Sequence, residues 1–182
     1  MFESANLGPE STEFYREHGY LVVRDALDRS EIEEIRGESL AISRGLRGEI
    51  HHYDPPAQSA SDEDVLRGVL CIHFPHRASE IMRGYLSQET IIGVLTSIIG
   101  PNVKCMQSML FIKSSGKPGQ AWHQDEDVIP TRDHSLCGAW MALDDATTEN
   151  GCLWIIPRSH KPGVLWPQYP HHAPPCDCPR DA

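Results

Sequence analysis

The sequence has no run approaching the roughly 18 consecutive apolar residues that a membrane-spanning helix needs. Its first residues, Met1-Phe2-Glu3-Ser4, lack the basic and apolar regions of a secretory signal. A cytoplasmic address and no membrane partner are therefore expected. Positive charge is also scarce: 16 Lys and Arg stand against 26 Asp and Glu, for a net charge of −10. Such a surface repels nucleic acid and anionic lipid, so neither is an expected partner. A disulfide framework is missing as well. Cys71, Cys105, Cys137 and Cys152 sit singly in apolar segments, where a free cysteine behaves as a small core residue, and only Cys176-Asp177-Cys178 is closely paired. No internal repeat is present.

What is there is an ordinary globular composition, 40% apolar and 23% charged over 182 residues, long enough for one domain with a sizeable core. Residues 10–18 have helix-forming composition, with Ser11 or Thr12 as N-cap and Gly19 where a helix C-terminus wants it. Residues 20–23 read as a short strand. Ser30 with Glu33 forms a capping box for a helix reaching about Ser43. From 47 to 64 the periodicity fails, and prolines, serines and acids predict a long loop or mobile lid. Residues 65–74 read as a strand and 77–85 as a helix. Ser87 caps a helix over 88–99 that stops at Gly100-Pro101.

After Pro101 the period changes from 3.6 to 2. Val103, Cys105, Gln107, Met109, Phe111 and Lys113 share one face of a predicted long strand. Further strands are expected around His123, over 136–143 and over 152–156. Helices followed by strands predict a helical layer on an antiparallel sandwich or barrel.

The stretch carrying chemistry is Ala121-Trp122-His123-Gln124-Asp125. On a strand, His123 and Asp125 would converge on one face while Gln124 turns away. An imidazole and a carboxylate suit divalent iron, and one further histidine would complete a facial triad with open positions. Composition alone supplies about one His-x-Asp or His-x-Glu by chance, and His52-Tyr53-Asp54 is such a decoy, set in a proline- and serine-rich loop.

Three blocks decide in favour of His123. Gln107-Ser108-Met109-Leu110-Phe111-Ile112-Lys113, then Trp122-His123-Gln124-Asp125, then residues 138–160 with Asn150-Gly151-Cys152-Leu153-Trp154 and Pro157-Arg158-Ser159-His160 occur in order. Together they resemble the phytanoyl-CoA dioxygenase family from about residue 13 to 164. The resemblance implies a mainly β fold with N-terminal helices (α+β), a double-stranded β-helix or jelly roll, in a single oxygenase domain over 1–182. Its helical layer spans about 9–100, its β-helix core about 101–164 and an extended tail 165–182. It further implies Fe(II) held by His123 and Asp125, and 2-oxoglutarate beside Met109, Trp140, Gln124 and Gln107. The activity implied is hydroxylation of a small molecule by dioxygen, with 2-oxoglutarate decarboxylated to succinate. Because Asp125 is present, hydroxylation is favoured over halogenation. The family's basic residue before the long strand has no lysine counterpart near Ile72-His73-Phe74. The glycine usual in the Pro-x-Ser-His block is Arg158 here, and His160 reads as a hydrogen-bonded turn residue. His134 is expected in a solvated polar loop or at the site's mouth.

In the family the second histidine lies roughly 85–90 residues beyond the first, and an arginine suited to a bidentate carboxylate contact about ten further. Ala182 comes before both positions. The fold is therefore expected to be truncated before its last strands, with the third ligand missing. The tail offers His171, His172, Cys176 and Cys178, whose spacing is not a usual zinc pattern, among Pro170, Pro174, Pro175 and Pro179. An extended connection is expected there. The alternative to an active dioxygenase is a non-catalytic remnant that binds or dimerises. The acidic 47–64 loop favours a cationic or polar substrate over a coenzyme A thioester.

Overall fold

The computed structural model describes residues 1–4, 7–48, 50 and 53–165. His52, His171, His172, Cys176 and Cys178 lie outside the described residues. Strand β1 (Phe2–Glu3) pairs in parallel with β2 (Val23–Arg24), and helix α1 (Pro9–His18) lies between them in sequence. Then come α2 (Arg29–Ser43), α3 (Asp62–Gly68), β3 (Cys71–His73), α4 (Pro75–Ala78), α5 (Glu80–Tyr85), α6 (Glu89–Ile99), β4 (Met109–Phe111) and α7 (Asp125–Val128).

Helices α2, α3, α5 and α6 each start at a residue whose side chain takes an orphan backbone N–H. For α1 the cap is Gly8 rather than Ser11 or Thr12: the Ser11 hydroxyl, three residues on, accepts from the Gly8 N–H at 3.1 Å. Gly19 ends it at φ +80°, a left-handed conformation that suits glycine. The box of α2 sits two residues earlier than expected, because Asp28 offers a carboxylate to the Glu31 N–H at 2.8 Å and Glu31 returns the bond to the Asp28 N–H at 2.7 Å. Ser30 serves that cap by donating to Asp28 at 2.6 Å. Gln88, not Ser87, caps α6. Ser79 breaks the expected 77–85 helix into α4 and α5, its extended backbone capping the second.

The core gathers Ile35 and Ile42 of α2, Val69, Ile72 of β3, Met82 of α5 and Leu110 of β4. Ile42 and Ile72 are fully enclosed, and burial of such a side chain contributes about 1.5–3 kcal/mol. Glu38 is buried beside them, its carboxylate accepting from Arg47 Nε at 2.8 and 3.0 Å and from the Ser79 hydroxyl at 2.5 Å. The loop after α2 is fastened rather than free. The Tyr53 hydroxyl donates to Ser43 O at 2.5 Å, Gln58 to Arg44 O at 3.2 Å, and Arg44 to Ala60 O at 3.0 Å.

The expected mainly β barrel is replaced, among the described residues, by helices with two two-stranded sheets. Of the long strand predicted over 103–113, only Met109–Phe111 pairs, and it pairs antiparallel with β3, the strand that follows α3. The segments 120–124, 136–143 and 152–156 form no ladder. The physical reason is that strand propensity is realised only against a neighbouring strand. Leu153, Trp154, Ile155 and Ile156 are all at least half exposed, so neither face of that segment is covered. No described helix is long and apolar enough to cross a membrane.

Candidate functional site

The β3–β4 ladder carries one of the sequence-predicted site residues, Met109. Its register places Ile72 opposite Leu110, both turned into the helical core, and His73 opposite Met109 on the other face. Gln107 and Met109 share that outer face, as the period of 2 predicts, and the Gln107 amide lies 3.0 Å from the Met109 sulfur. His73 stands where the sequence offers no lysine. Nothing local announces the pairing of His73 with Met109, because it depends on two strands 36 positions apart.

His123 and Asp125 are brought together, though not on a strand. Gln124 has extended backbone and Asp125 opens the four-residue helix α7, so the chain turns between the two side chains. His123 Nε2 lies 3.3 Å from Asp125 Oδ1, while His123 Nδ1 donates to the Ala121 carbonyl at 2.7 Å. A carbonyl only accepts, so Nδ1 carries a proton; Nε2 faces the carboxylate and, as a free lone pair, would be a second acceptor there. Two acceptors at that separation need a shared cation or proton between them. Metal–ligand bonds of about 2.0–2.2 Å put neighbouring ligands roughly 3 Å apart, so the pair fits one divalent ion. The Ala121 carbonyl, bonded to the other ring nitrogen, holds the imidazole in its orientation.

Gly138 borders the pair: a Cβ there would lie 3.6 Å from Asp125 Oδ2. Cys137, just before it, accepts from the Tyr15 hydroxyl at 3.4 Å, tying this segment to α1. Burial, with the Cys137 contact adding to it, pushes the Tyr15 phenol well above its ordinary pKa. Trp140, two residues on, is 55% exposed. Among the described residues no third His, Cys, Asp or Glu joins His123 and Asp125.

Gln124 turns away from its neighbours, as expected, onto a strap formed by residues 157–165. Its amide nitrogen donates to Ser159 O at 3.3 Å and Gly163 O at 3.0 Å, and its oxygen accepts from the Leu165 N–H at 2.7 Å. The strap in turn closes on the end of α1. Arg158 N–H donates to His18 O at 2.9 Å, His160 Nε2 bonds Arg16 O at 3.0 Å, and Arg158 and Lys161 pair with Glu17. His160 is thus a hydrogen-bonded turn residue. Arg158 adopts φ +67°, the left-handed region where glycine is at ease.

Glu126 organises the polar loop after α7. Its carboxylate accepts from the Thr131 N–H at 2.5 Å, the Thr131 hydroxyl at 2.8 Å and the Leu136 N–H at 3.1 Å, with His134 3.6 Å away. Partial burial raises its pKa, but the Thr131 and Leu136 bonds together outweigh that and hold it below the usual carboxylate value.

The family profile described as Phytanoyl-CoA dioxygenase (PhyH) matches residues 15–177. Phytanoyl-CoA dioxygenase, peroxisomal, of Rattus norvegicus is 30% identical over 183 residues, covering 92% of this chain and 51% of that protein. Phytanoyl-CoA dioxygenase 1 of Oryza sativa subsp. japonica is 34% identical over 93 residues, covering 50% of this chain and 33% of its own. Phytanoyl-CoA dioxygenase domain-containing protein 1 of Danio rerio is 43% identical over 65 residues, 35% of this chain and 22% of that protein. The chain thus spans about half the length of the rat relative and less of the other two. No solved structure matches it at a significant level. With its profile match running over most of its length, the chain belongs to the phytanoyl-CoA dioxygenase family.

Proposed function

We propose that the chain forms a single oxygenase domain that hydroxylates a small-molecule substrate with dioxygen, using Fe(II) and 2-oxoglutarate. Family membership supports the reaction class. The observation that carries the reading is the His123 Nε2 to Asp125 Oδ1 approach of 3.3 Å, with Nδ1 already bonded to Ala121 O. His123 and Asp125 would hold the metal. Bound iron would supply the redox chemistry of dioxygen, with 2-oxoglutarate decarboxylated to succinate as the substrate is hydroxylated.

The chain's own residues have simpler tasks. The Ala121 carbonyl keeps the imidazole in the ligating tautomer, and Asp125 offsets part of the positive charge. Gly138 leaves open the space beside Asp125 that a side chain would fill. Met109 would supply an apolar wall, with Gln107 holding it in place, and Trp140 would do so only once a bound substrate or cosubstrate covers its exposed ring. His73, opposite Met109, offers an imidazole for a carboxylate. A cytoplasmic address goes with this reading.

A second reading, a non-catalytic remnant, is favoured by one observation: no third donor joins the pair among the described residues. Anaerobic addition of Fe(II) and 2-oxoglutarate separates the two. The dioxygenase reading expects a weak visible charge-transfer band, succinate on admission of air, and loss of both in Asp125→Ala. If neither band nor succinate appears with the unaltered chain, the remnant reading stands.

A further inference from the structure

We propose that Gln124 is a positioning residue, its amide bonded to the 157–165 strap so as to set the separation of His123 and Asp125. This rests on the metal reading of that pair. Gln124 occupies the N-cap of α7, yet its side chain caps nothing locally. Both amide hydrogens and one lone pair of its oxygen go instead to the strap, at Ser159, Gly163 and Leu165. All its donors are therefore engaged, which gives it a task other than gripping a ligand.

The need for such a device follows from the local structure. A helix of four residues is too short to hold its own first turn rigid. The His123 and Asp125 side chains are 36% and 57% exposed, so packing does not fix them either. Gln124 sits between them, and its extended backbone, φ −119° and ψ 123°, directs its side chain opposite to theirs. Holding Gln124 from behind therefore fixes the chain turn that carries both ligands. The strap is a firm anchor because its other end is bonded to the last turn of α1 through Arg158 and His160.

Co(II), whose visible bands report its binding, tests this with the full chain. Gln124→Leu removes the three bonds. Gly163→Ala leaves Gln124 in place but strains the strap, because Gly163 has φ +81° with open space around it. Each variant is expected to weaken Co(II) binding about tenfold or more, the usual effect of losing a partner that orients a metal ligand. The thermal midpoint is expected to stay within a few degrees, a split that a purely structural role would not give. Adding Gly163→Ala to Gln124→Leu should have no further effect on affinity. Affinity within twofold of the unaltered chain in both variants overturns the proposal. If Gln124→Leu does not fold, Gly163→Ala decides alone. If the unaltered chain takes up no Co(II), the metal reading falls and amide hydrogen exchange decides the positioning claim. Faster exchange over residues 124–129 in Gly163→Ala supports it, and unchanged exchange overturns it.

Discussion

Residues 9–100 and residues 101–165 contain similar apolar stretches but treat them differently. In the first region α2, α3, β3 and α5 close around Ile35, Ile42, Val65, Ile72 and Met82, whereas in the second Leu110 is the one buried apolar side chain among the described residues. The difference lies in where backbone hydrogen bonds are found. A helix satisfies its own peptide groups and needs only one covered face, so α2 buries a stripe and leaves the rest wet. An extended segment needs neighbours on its edges as well as its faces. Leu110 is buried because β4 found β3. Trp154 and Ile156 are exposed because their segment found nothing comparable. Helix α6 lies between these cases, apolar in composition and packed on α1, with no residue fully buried.

The contrast is most open to attack through side-chain truncation. Ile42→Ala should cost about 3–4 kcal/mol, since a fully enclosed site leaves a cavity that does not collapse. Ile156→Ala should cost less than about 0.5 kcal/mol, as for an ordinary surface change. Urea unfolding measures both, and equal losses would break the distinction.

A smaller effect comes from Glu38, the one buried carboxylate among the described residues of the helical region. Arg47 is 42% exposed and Glu38 3%, so Arg47→Ala leaves the buried partner with Ser79 alone. The expected loss at pH 7 is smaller than that of breaking a fully buried pair, because the Arg47 guanidinium is part solvated. The Arg47 hydrogen bond, against desolvation and helped by Ser79, holds the Glu38 pKa below its ordinary 4.5. Its contribution is therefore complete above pH 4.5 and fades as pH falls through the lower folded value. Glu38→Gln should make stability fall less steeply between pH 5 and 3, and an unchanged slope would contradict the assignment.

The smallest effect belongs to the strap. Arg158 is in the left-handed region, which costs a side-chain-bearing residue roughly 1 kcal/mol. Its exposed pair with Glu17 returns only a small part of that, because both side chains are solvated. Arg158→Gly should thus be stabilising and Arg158→Ala slightly destabilising. Melting curves that order the two the other way would remove the strain argument.

Local signals in the sequence carried the helix boundaries well. Gly19, Ser43 and Gly100 end their helices where composition and glycine placement predict, and the starts of those three helices are shifted by one to four residues, as with Asp28 for Ser30; helix α3 was missed, because residues 65–74 read as a strand and only Cys71–His73 forms one. Of the candidate site, the i, i+2 spacing predicted that His123 and Asp125 would meet, that Gln124 would face away, and that Gln107 and Met109 would share a side. It missed the means, a helix start in place of a strand. It also missed every element that arrives from far along the chain: His73 opposite Met109, Cys137 under Tyr15, and the strap under Gln124. Periodicity describes one segment at a time, and these contacts depend on how segments find each other. The barrel expected over 101–164 failed for the same reason, since alternation marks a segment willing to pair without supplying the partner.

The bond from Arg158 to His18 joins positions 140 apart and closes most of the polypeptide into one ring. Deleting residues 1–19 would look conservative, because it removes a single helix distant from His123 in sequence. It would in fact take away Arg16, Glu17 and His18 together, and so unfasten the strap on which Gln124 hangs. A backbone cut inside the exposed 114–119 loop should do less harm, because the two pieces stay clasped through that same contact.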